Sequence, residues 1–173
     1  MDTLESFPPL ATAGARALVL GSMPGEVSLR ERRYYAHPRN AFWWIMGELF
    51  GASPELDYGE RARVLGEHRV AVWDVLRFCR RPASSLDAKI LRATEVPNDF
   101  AEFLREHADV RAVFFNGAKA QEAWLRHVVP MLNAELPGRE LTLQRLPSTS
   151  PAFAGLSRGK KLEVWRAVER AVR

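Results

Sequence analysis

Cysteine is nearly absent from this chain of 173 residues, with Cys79 the single example. One thiol cannot close an intrachain disulfide, and it cannot supply a cysteine-rich zinc or iron–sulfur site. The four histidines, His37, His68, His107 and His127, are scattered, with no pair four residues apart that would mark a metal-binding helix. No metal site is expected. Long apolar runs are missing too: charge interrupts each one well before membrane-spanning length, so no transmembrane helix is expected. Met1-Asp-Thr-Leu-Glu-Ser carries acidic residues and no basic stretch leading into an apolar run, which excludes a secretory signal and predicts a cytoplasmic protein. There is no repeat, low-complexity block or internal linker. The length therefore predicts one domain over 1–173, in which 1–13, with Phe7-Pro-Pro-Leu10, is either a flexible extension or a docked one.

Apolar residues make up 47% of the chain, enough for a substantial core. The net charge is only +4, but the basic residues cluster. Arg30, Arg32, Arg33 and Arg39 flank one candidate loop, Arg77, Arg80 and Arg81 follow a candidate strand, and Arg158, Lys160 and Lys161 open the last helix. Brought to one rim of a sheet, such groups suit a polyanion such as a nucleic-acid backbone; dispersed, they are solvated surface charges.

Short apolar runs alternate with helical periodicity. Strands are predicted at 15–21, 70–76 (with a stop near Asp74), 110–115 and 141–146. Helices are predicted from Asn40 or Ala41 to Phe50, at 60–68, from a cap at Asn98 or Asp99 to Glu106, at 118–131 and at 159–172. Arg77–Pro82 reads as a basic turn and Ser85-Leu-Asp87 as a short helical turn. This alternation predicts a three-layer α/β/α fold with a central, mainly parallel four-stranded sheet. Ligands of such folds sit at the carboxyl ends of the strands.

Four loops follow those strand ends. The first carries Gly21-Ser-Met-Pro-Gly25 and then Tyr34-Tyr-Ala-His-Pro-Arg-Asn40. The second strand delivers Asp74, the third Asn116-Gly117, and the fourth Pro147-Ser-Thr-Ser-Pro-Ala-Phe153. Backbone amides of Ser22 and Gly25 are candidate donors to a ligand, and Gly25 permits close approach. Tyr34, Tyr35 and His37 are candidates to stack on a flat ligand or line its entrance. Trp43 and Trp44 fit the helical core better. Glu26, the one carboxylate of the first loop, is a candidate to place water, or a solvated turn residue.

LVLGSMPG, YYAHPRNAFW, AVWDVL, SSLDAKI, FFNGAKA and LPSTSPAFA, in this order, resemble the uracil-DNA glycosylase superfamily. They are most similar to its hypoxanthine-DNA (deoxyinosine) glycosylase branch. The resemblance implies a monofunctional enzyme that flips a deaminated base, preferably hypoxanthine, out of DNA. It would hydrolyse the N-glycosidic bond and leave an abasic site, without a cofactor. Flipping costs a few kcal/mol, roughly, and a pocket must return it through stacking and hydrogen bonds. The chain departs from the superfamily at two positions. Met23 stands where other branches place aspartate or asparagine near the attacking water, and Leu146 stands where many place a histidine before Pro-Ser.

The resemblance makes Asn40 the catalytic residue; the plainer alternative is a cap for the following helix. Asp74 lies where the uracil branch reads its base, and a carboxylate there could accept the N1–H of hypoxanthine. Asn116 offers a donor and an acceptor. Asp74 and Asn116 are otherwise ordinary turn residues. Ser22, Gly25, Tyr35, His37, Asp74 and Asn116 thus form the expected base-binding set. The expected DNA-binding set has Arg39, with Ser148, Thr149 and Ser150 for phosphate, Pro151 or Phe153 as a wedge, and Arg158, Lys160 and Lys161 along the backbone. The expected partner is DNA containing a deaminated base, met by a monomer. A uracil or G:U/T mismatch glycosylase, and a nucleic-acid-binding module of the same fold without catalysis, are the alternatives. A nucleotide-binding protein ranks last, because GSMPG lacks the Lys-Ser/Thr of a P-loop.

Overall fold

The computed structural model describes residues 1–173. In chain order the elements are β1 (Thr3–Glu5), β2 (Ala17–Gly21), α1 (Glu26–Glu31), α2 (Phe42–Phe50), α3 (Tyr58–Glu67), β3 (Val70–Asp74) and β4 (Leu76–Arg80). They continue with β5 (Val96–Pro97), α4 (Phe100–Glu106), β6 (Ala112–Asn116), α5 (Ala118–Ala123), α6 (Val129–Glu135), β7 (Thr142–Leu146) and α7 (Arg158–Ala171). Every residue of β2, β3 and β6 is buried, which explains why these strands read as unbroken apolar runs rather than alternating ones. They join β7 in a parallel sheet of order β3-β2-β6-β7.

Helices flank this sheet in two groups. In one, α2 packs on α3 and α7, with Phe42 edge-on to Trp43 and to Trp165. In the other, α4 packs on α6, and Trp124 wedges between Phe100 and Phe115. The three-layer α/β architecture is the one predicted. Parallel register then sets the site, because Gly21 lies beside Asp74 and Asn116 beside Leu146. All four strands present their carboxyl ends on one rim.

Some boundaries differ from the expectation. The strand expected to reach Leu76 stops at Asp74. Val75 and Leu76 donate their amides to the carbonyls of Gly21 and Ser22, which draws the chain off the main sheet. What followed as a basic turn is in fact β4, the centre of a small antiparallel sheet β1-β4-β5. The helix expected over 118–131 is interrupted by a π turn at Trp124–Val128 and resumes as α6. Neither α1 nor the small sheet was expected.

The N-terminal segment is docked. β1 pairs with β4, Leu10 exchanges backbone hydrogen bonds with Val72, and the Phe7 carbonyl accepts the Trp73 indole N–H at 2.9 Å. No helix is long and apolar enough to cross a membrane.

Candidate active site

A cavity of about 710 Å³ opens at the carboxyl rim of the parallel sheet, inside the ~300–1,000 Å³ typical of small-ligand sites. Its floor is where β2 and β3 end. A Cβ on Gly21 would lie 2.5 Å from Asp74 Oδ1 and 3.0 Å from the Tyr35 hydroxyl, so glycine is required for these two groups to meet over the strand. Asp74 is 3% exposed, its Oδ2 is buried, and no protein donor reaches it. The Tyr35 hydroxyl is likewise buried and unpartnered. Buried polar atoms without partners are uncommon in folded proteins. Two converging on one cavity mark a place for a polar ligand.

Desolvation pushes the Asp74 carboxyl up to about 8; the neighbouring Asp87 adds to the rise and Arg81 opposes it. Burial raises the Tyr35 phenol as well, and Asp74 adds to that rise. Tyr35 also holds a left-handed backbone, φ 54°, which is costly for a residue with a side chain. Its ring is stacked on Phe42 with centroids 4.0 Å apart. One face of the ring is therefore covered, and the hydroxyl is the group it offers. Tyr34 is not a stacking residue: it is 3% exposed and its hydroxyl donates to the Pro8 carbonyl at 2.8 Å.

The first loop is held by a wall built from Ser85–Asp87 and Arg81, none of which was an expected base contact. The Ser22 hydroxyl donates to Asp87 Oδ1 at 2.5 Å, Arg81 Nη2 donates to the Pro24 carbonyl at 2.7 Å, and the Glu26 amide donates to Ser85 Oγ at 2.8 Å. Ser85, Leu86 and Asp87 line the cavity. Arg81 is 4% exposed, and its Nε and Nη1 are buried without acceptors. Desolvation raises the Asp87 carboxyl, while its bond from Ser22 and the charge of Arg81 hold it down. With these contacts made elsewhere, the amides of Ser22, Met23 and Gly25 find no protein acceptor. The sequence does carry a signal for this wall: SSLDAKI is one of the motifs of the superfamily resemblance, but neither Asp87 nor Arg81 is singled out there as a site residue.

The other expected site residues are also on this rim. His37, Arg39 and Asn40 line the cavity. His37 Nδ1 accepts the Arg39 amide at 3.1 Å, and Asn40 Oδ1 accepts the Phe42 amide at 3.0 Å. Asn40, one residue before the N-cap Ala41, thus accepts the first amide of α2, while its Nδ2 is left without a protein acceptor. Asn116 reaches the cavity wall, but its amide is already engaged: Nδ2 donates to Thr149 Oγ1 and Oδ1 accepts the Thr149 amide, both at 2.9 Å. This clasp fixes the loop after β7 to the end of β6.

Two of the expected phosphate contacts are corrected by it and its neighbours. Thr149 is 1% exposed and committed to Asn116. Lys161 is 5% exposed and donates to the Phe153 carbonyl at 2.8 Å, so it pins the loop rather than facing solvent. Ser148 and Ser150 cap their own turn through the amides of Ser150 and Ala152. Pro151 is half-buried and Phe153 exposed at the cavity edge. Arg158 lies 4.2 Å from the centre of the Trp44 ring, beside a second groove of about 580 Å³ that continues from the cavity past Arg39 and Phe153. Lys160 is exposed. Met23 and Leu146 are buried apolar residues and supply no polar chemistry. No cluster of three or more His, Cys, Asp or Glu side chains is arranged to hold a metal ion.

A polar cavity among the strand-end loops of a parallel α/β sheet is where such folds hold ligands, and this one has room for a nucleobase extruded from a duplex. Comparison with known proteins gives the class. The family model for the uracil DNA glycosylase superfamily matches residues 8–170. A hypoxanthine DNA glycosylase of Methanosarcina acetivorans is 32% identical over 167 residues, 96% of this chain and 98% of that protein. A hypoxanthine DNA glycosylase of Methanosarcina barkeri is 34% identical over 119 residues, 68% of this chain and 73% of that protein. The solution NMR structure of a candidate uracil DNA glycosylase from Methanosarcina acetivorans superposes with a TM-score of 0.78 at 29% identity, covering 99% of both chains. The chain belongs to the uracil DNA glycosylase superfamily. It is a DNA N-glycosylase.

Proposed function

We propose that this enzyme removes hypoxanthine from DNA, acting as a cytoplasmic monomer and leaving an abasic site for base excision repair. The observation that carries the reading is the Asp74 carboxyl, buried and without a protein donor, in a cavity with room for a base and shared with the Tyr35 hydroxyl. A deaminated base presents a ring N–H next to a carbonyl, and this edge needs one acceptor and one donor. The names of the two Methanosarcina relatives support hypoxanthine as that base.

Cleavage builds positive charge on the sugar and negative charge on the departing base, so donors around the base and a water at the sugar supply the rate. Free amides of Ser22, Met23 and Gly25 are suited to the first task. Asn40 serves the second: its Oδ1 is oriented by the Phe42 amide and its Nδ2 is free, so it positions water without being a strong base. His37 lines the base entrance. Arg39, Ser148, Ser150, Arg158 and Lys160 follow the phosphodiester backbone, and Pro151 or Phe153 fills the gap in the stack.

The test uses end-labelled duplexes containing deoxyinosine, deoxyuridine or deoxyxanthosine, with alkali to cut abasic sites. Cleavage is expected to be fastest at deoxyinosine and to be lost in Asn40→Ala. Equal cleavage at deoxyuridine removes the hypoxanthine preference. Binding without scission on any substrate leaves a DNA-binding module instead.

A further inference from the structure

Asp74 presents an unusual arrangement for an acid in a protein interior. A buried carboxylate ordinarily collects amide, hydroxyl or cationic donors, because an unsolvated anion is costly. Here no protein donor reaches Oδ2, and the one bond at this residue goes to its backbone carbonyl, from Asn98 Nδ2 at 2.8 Å. The nearby groups compound the problem. Asp87 is a second carboxyl on the facing wall, and Tyr34, Tyr35 and Tyr58 are neutral phenols on the loop and helix behind. Arg81 is the one buried cation near both acids, and its Nη2 is spent on Pro24. His37 lines the same cavity, and Lys119 reaches Asp87 only through its field.

We infer that Asp74 works as a neutral carboxylic acid, donating its O–H to the carbonyl oxygen of the flipped base while its other oxygen accepts the adjacent ring N–H, with Asp87 as the positioning residue that keeps the proton there. The inference rests on the proposed glycosylase reading and adds the protonation state to it. A carboxylic acid and a –CO–NH– edge are self-complementary, so two hydrogen bonds close one ring. An ionised carboxylate would accept the N–H but would face the carbonyl lone pairs without a donor.

The difference grows along the reaction. When the C1′–N bond breaks, its electron pair leaves with the base and charge accumulates on the base oxygen. An O–H aimed at that oxygen strengthens its bond as the charge develops, whereas a carboxylate would repel it. Water forms the new C1′–O bond, and the proton it loses neutralises the departing base. Asp74 keeps its own proton throughout. This supplies leaving-group stabilisation in a site where the side chains of Met23 and Leu146 supply none, and the raised carboxyl, up to about 8, agrees with it.

Two readouts test this. The first is the infrared band of a protonated carboxylic acid in the folded protein at pH 7: it is expected in the wild type and missing from Asp74→Asn. The second is the single-turnover rate on deoxyinosine duplex between pH 6 and 9.5. The wild type is expected to lose activity as pH rises through about 8. Asp74→Asn, whose amide also pairs a donor with an acceptor, is expected to keep about a tenth of the neutral-pH rate, where Asp74→Ala keeps about a hundredth. Its remaining alkaline loss lies at higher pH and belongs to the base's own N–H. Asp87→Asn removes a negative charge that holds the Asp74 proton, so its alkaline loss moves to lower pH.

Absence of the infrared band, an alkaline loss at the same pH in wild type and Asp74→Asn, or no movement in Asp87→Asn overturns the inference while leaving the glycosylase reading intact. Should Asp74→Asn fail to bind an abasic duplex, the wild-type band and the Asp87→Asn shift still decide the question. A wild type that cleaves no substrate overturns both readings together.

Discussion

Two buried acids divide this molecule. Glu95 has a fully buried side chain, and both its oxygens are engaged, Oε1 by Lys119 Nζ and Oε2 by His127 Nε2. Lys119 in turn pairs with Glu122 at 2.8 Å, and Glu122 with Arg92 at 2.6 Å. Asp74 is buried as deeply, 3% exposed over the whole residue against 8% for Glu95, and has no such partner. The first acid is a rivet between the loop before β5 and the helix after β6. The second is a loose end pointing into a cavity. Depth of burial does not separate these two acids, but satisfaction does.

The comparison breaks or sharpens under substitution. Glu95→Ala leaves Lys119 and His127 without their carboxylate. Breaking one side of a buried ion pair costs about 3–5 kcal/mol, so urea denaturation is expected to show a loss of that size. Activity per folded molecule should stay at the wild-type value. Asp74→Ala is the converse. Its rate on deoxyinosine duplex is expected to fall by about 10²–10³, roughly 2.7–4 kcal/mol of transition-state stabilisation, with no loss in the same denaturation experiment. A large loss of stability in Asp74→Ala would erase the distinction.

Gly21→Ala attacks the floor, displacing Asp74 while leaving both acids in the chain. The new Cβ would sit 2.5 Å from Asp74 Oδ1, so the carboxyl must shift. An activity loss of about tenfold or more is expected from displacement on this scale, read as kcat falling more than KM rises.

Asp74→Asn sharpens the thermodynamic side. A folded-state carboxyl held near 8, above its usual 3.8, binds a proton that the unfolded chain has released. Native stability is therefore intact below the lower value and drains away as pH climbs through the upper one. The amide has no such drain, so the variant is expected to be more stable than wild type at pH 8 by several kcal/mol, on the order of 5, and equal to it near pH 3.5. Chemical denaturation at the two pH values checks this.

Smallest of all is Arg158→Ala. A side chain spread over Trp44 at the rim is expected to weaken DNA binding a few-fold and to lower the salt slope by about 1.

How much of this was legible follows from chain geometry. Strands such as Ala17–Gly21 and Val70–Asp74 are buried on both faces, so their composition alone announces them. The small sheet has strands of 3, 5 and 2 residues, and its central member, Leu-Arg-Phe-Cys-Arg, carries two arginines that read as a turn. α1 has six residues and no apolar stripe. Residues at strand ends, among them Ser22, Asp74 and Asn116, could be placed on one rim because parallel strands stop in register. Arg81 and Asp87 could not, since their approach to the first loop depends on the detour through β4. Thr149 and Lys161 look like surface donors in sequence, and only the folded loop turns them inward.

The docked N-terminal segment has a consequence for the order in which the protein is made. β1 is made well before its partner β4, Thr3 pairing with Arg80, and the Phe7 carbonyl waits for Trp73. Thr3–Glu5 therefore stay unpaired until β4 has been made. The cavity waits longer still, because its last wall, Ser148–Phe153, follows β7 and is clasped only when Thr149 meets Asn116. Until that clasp forms, the wall carried by Ser148–Phe153 is missing from the cavity.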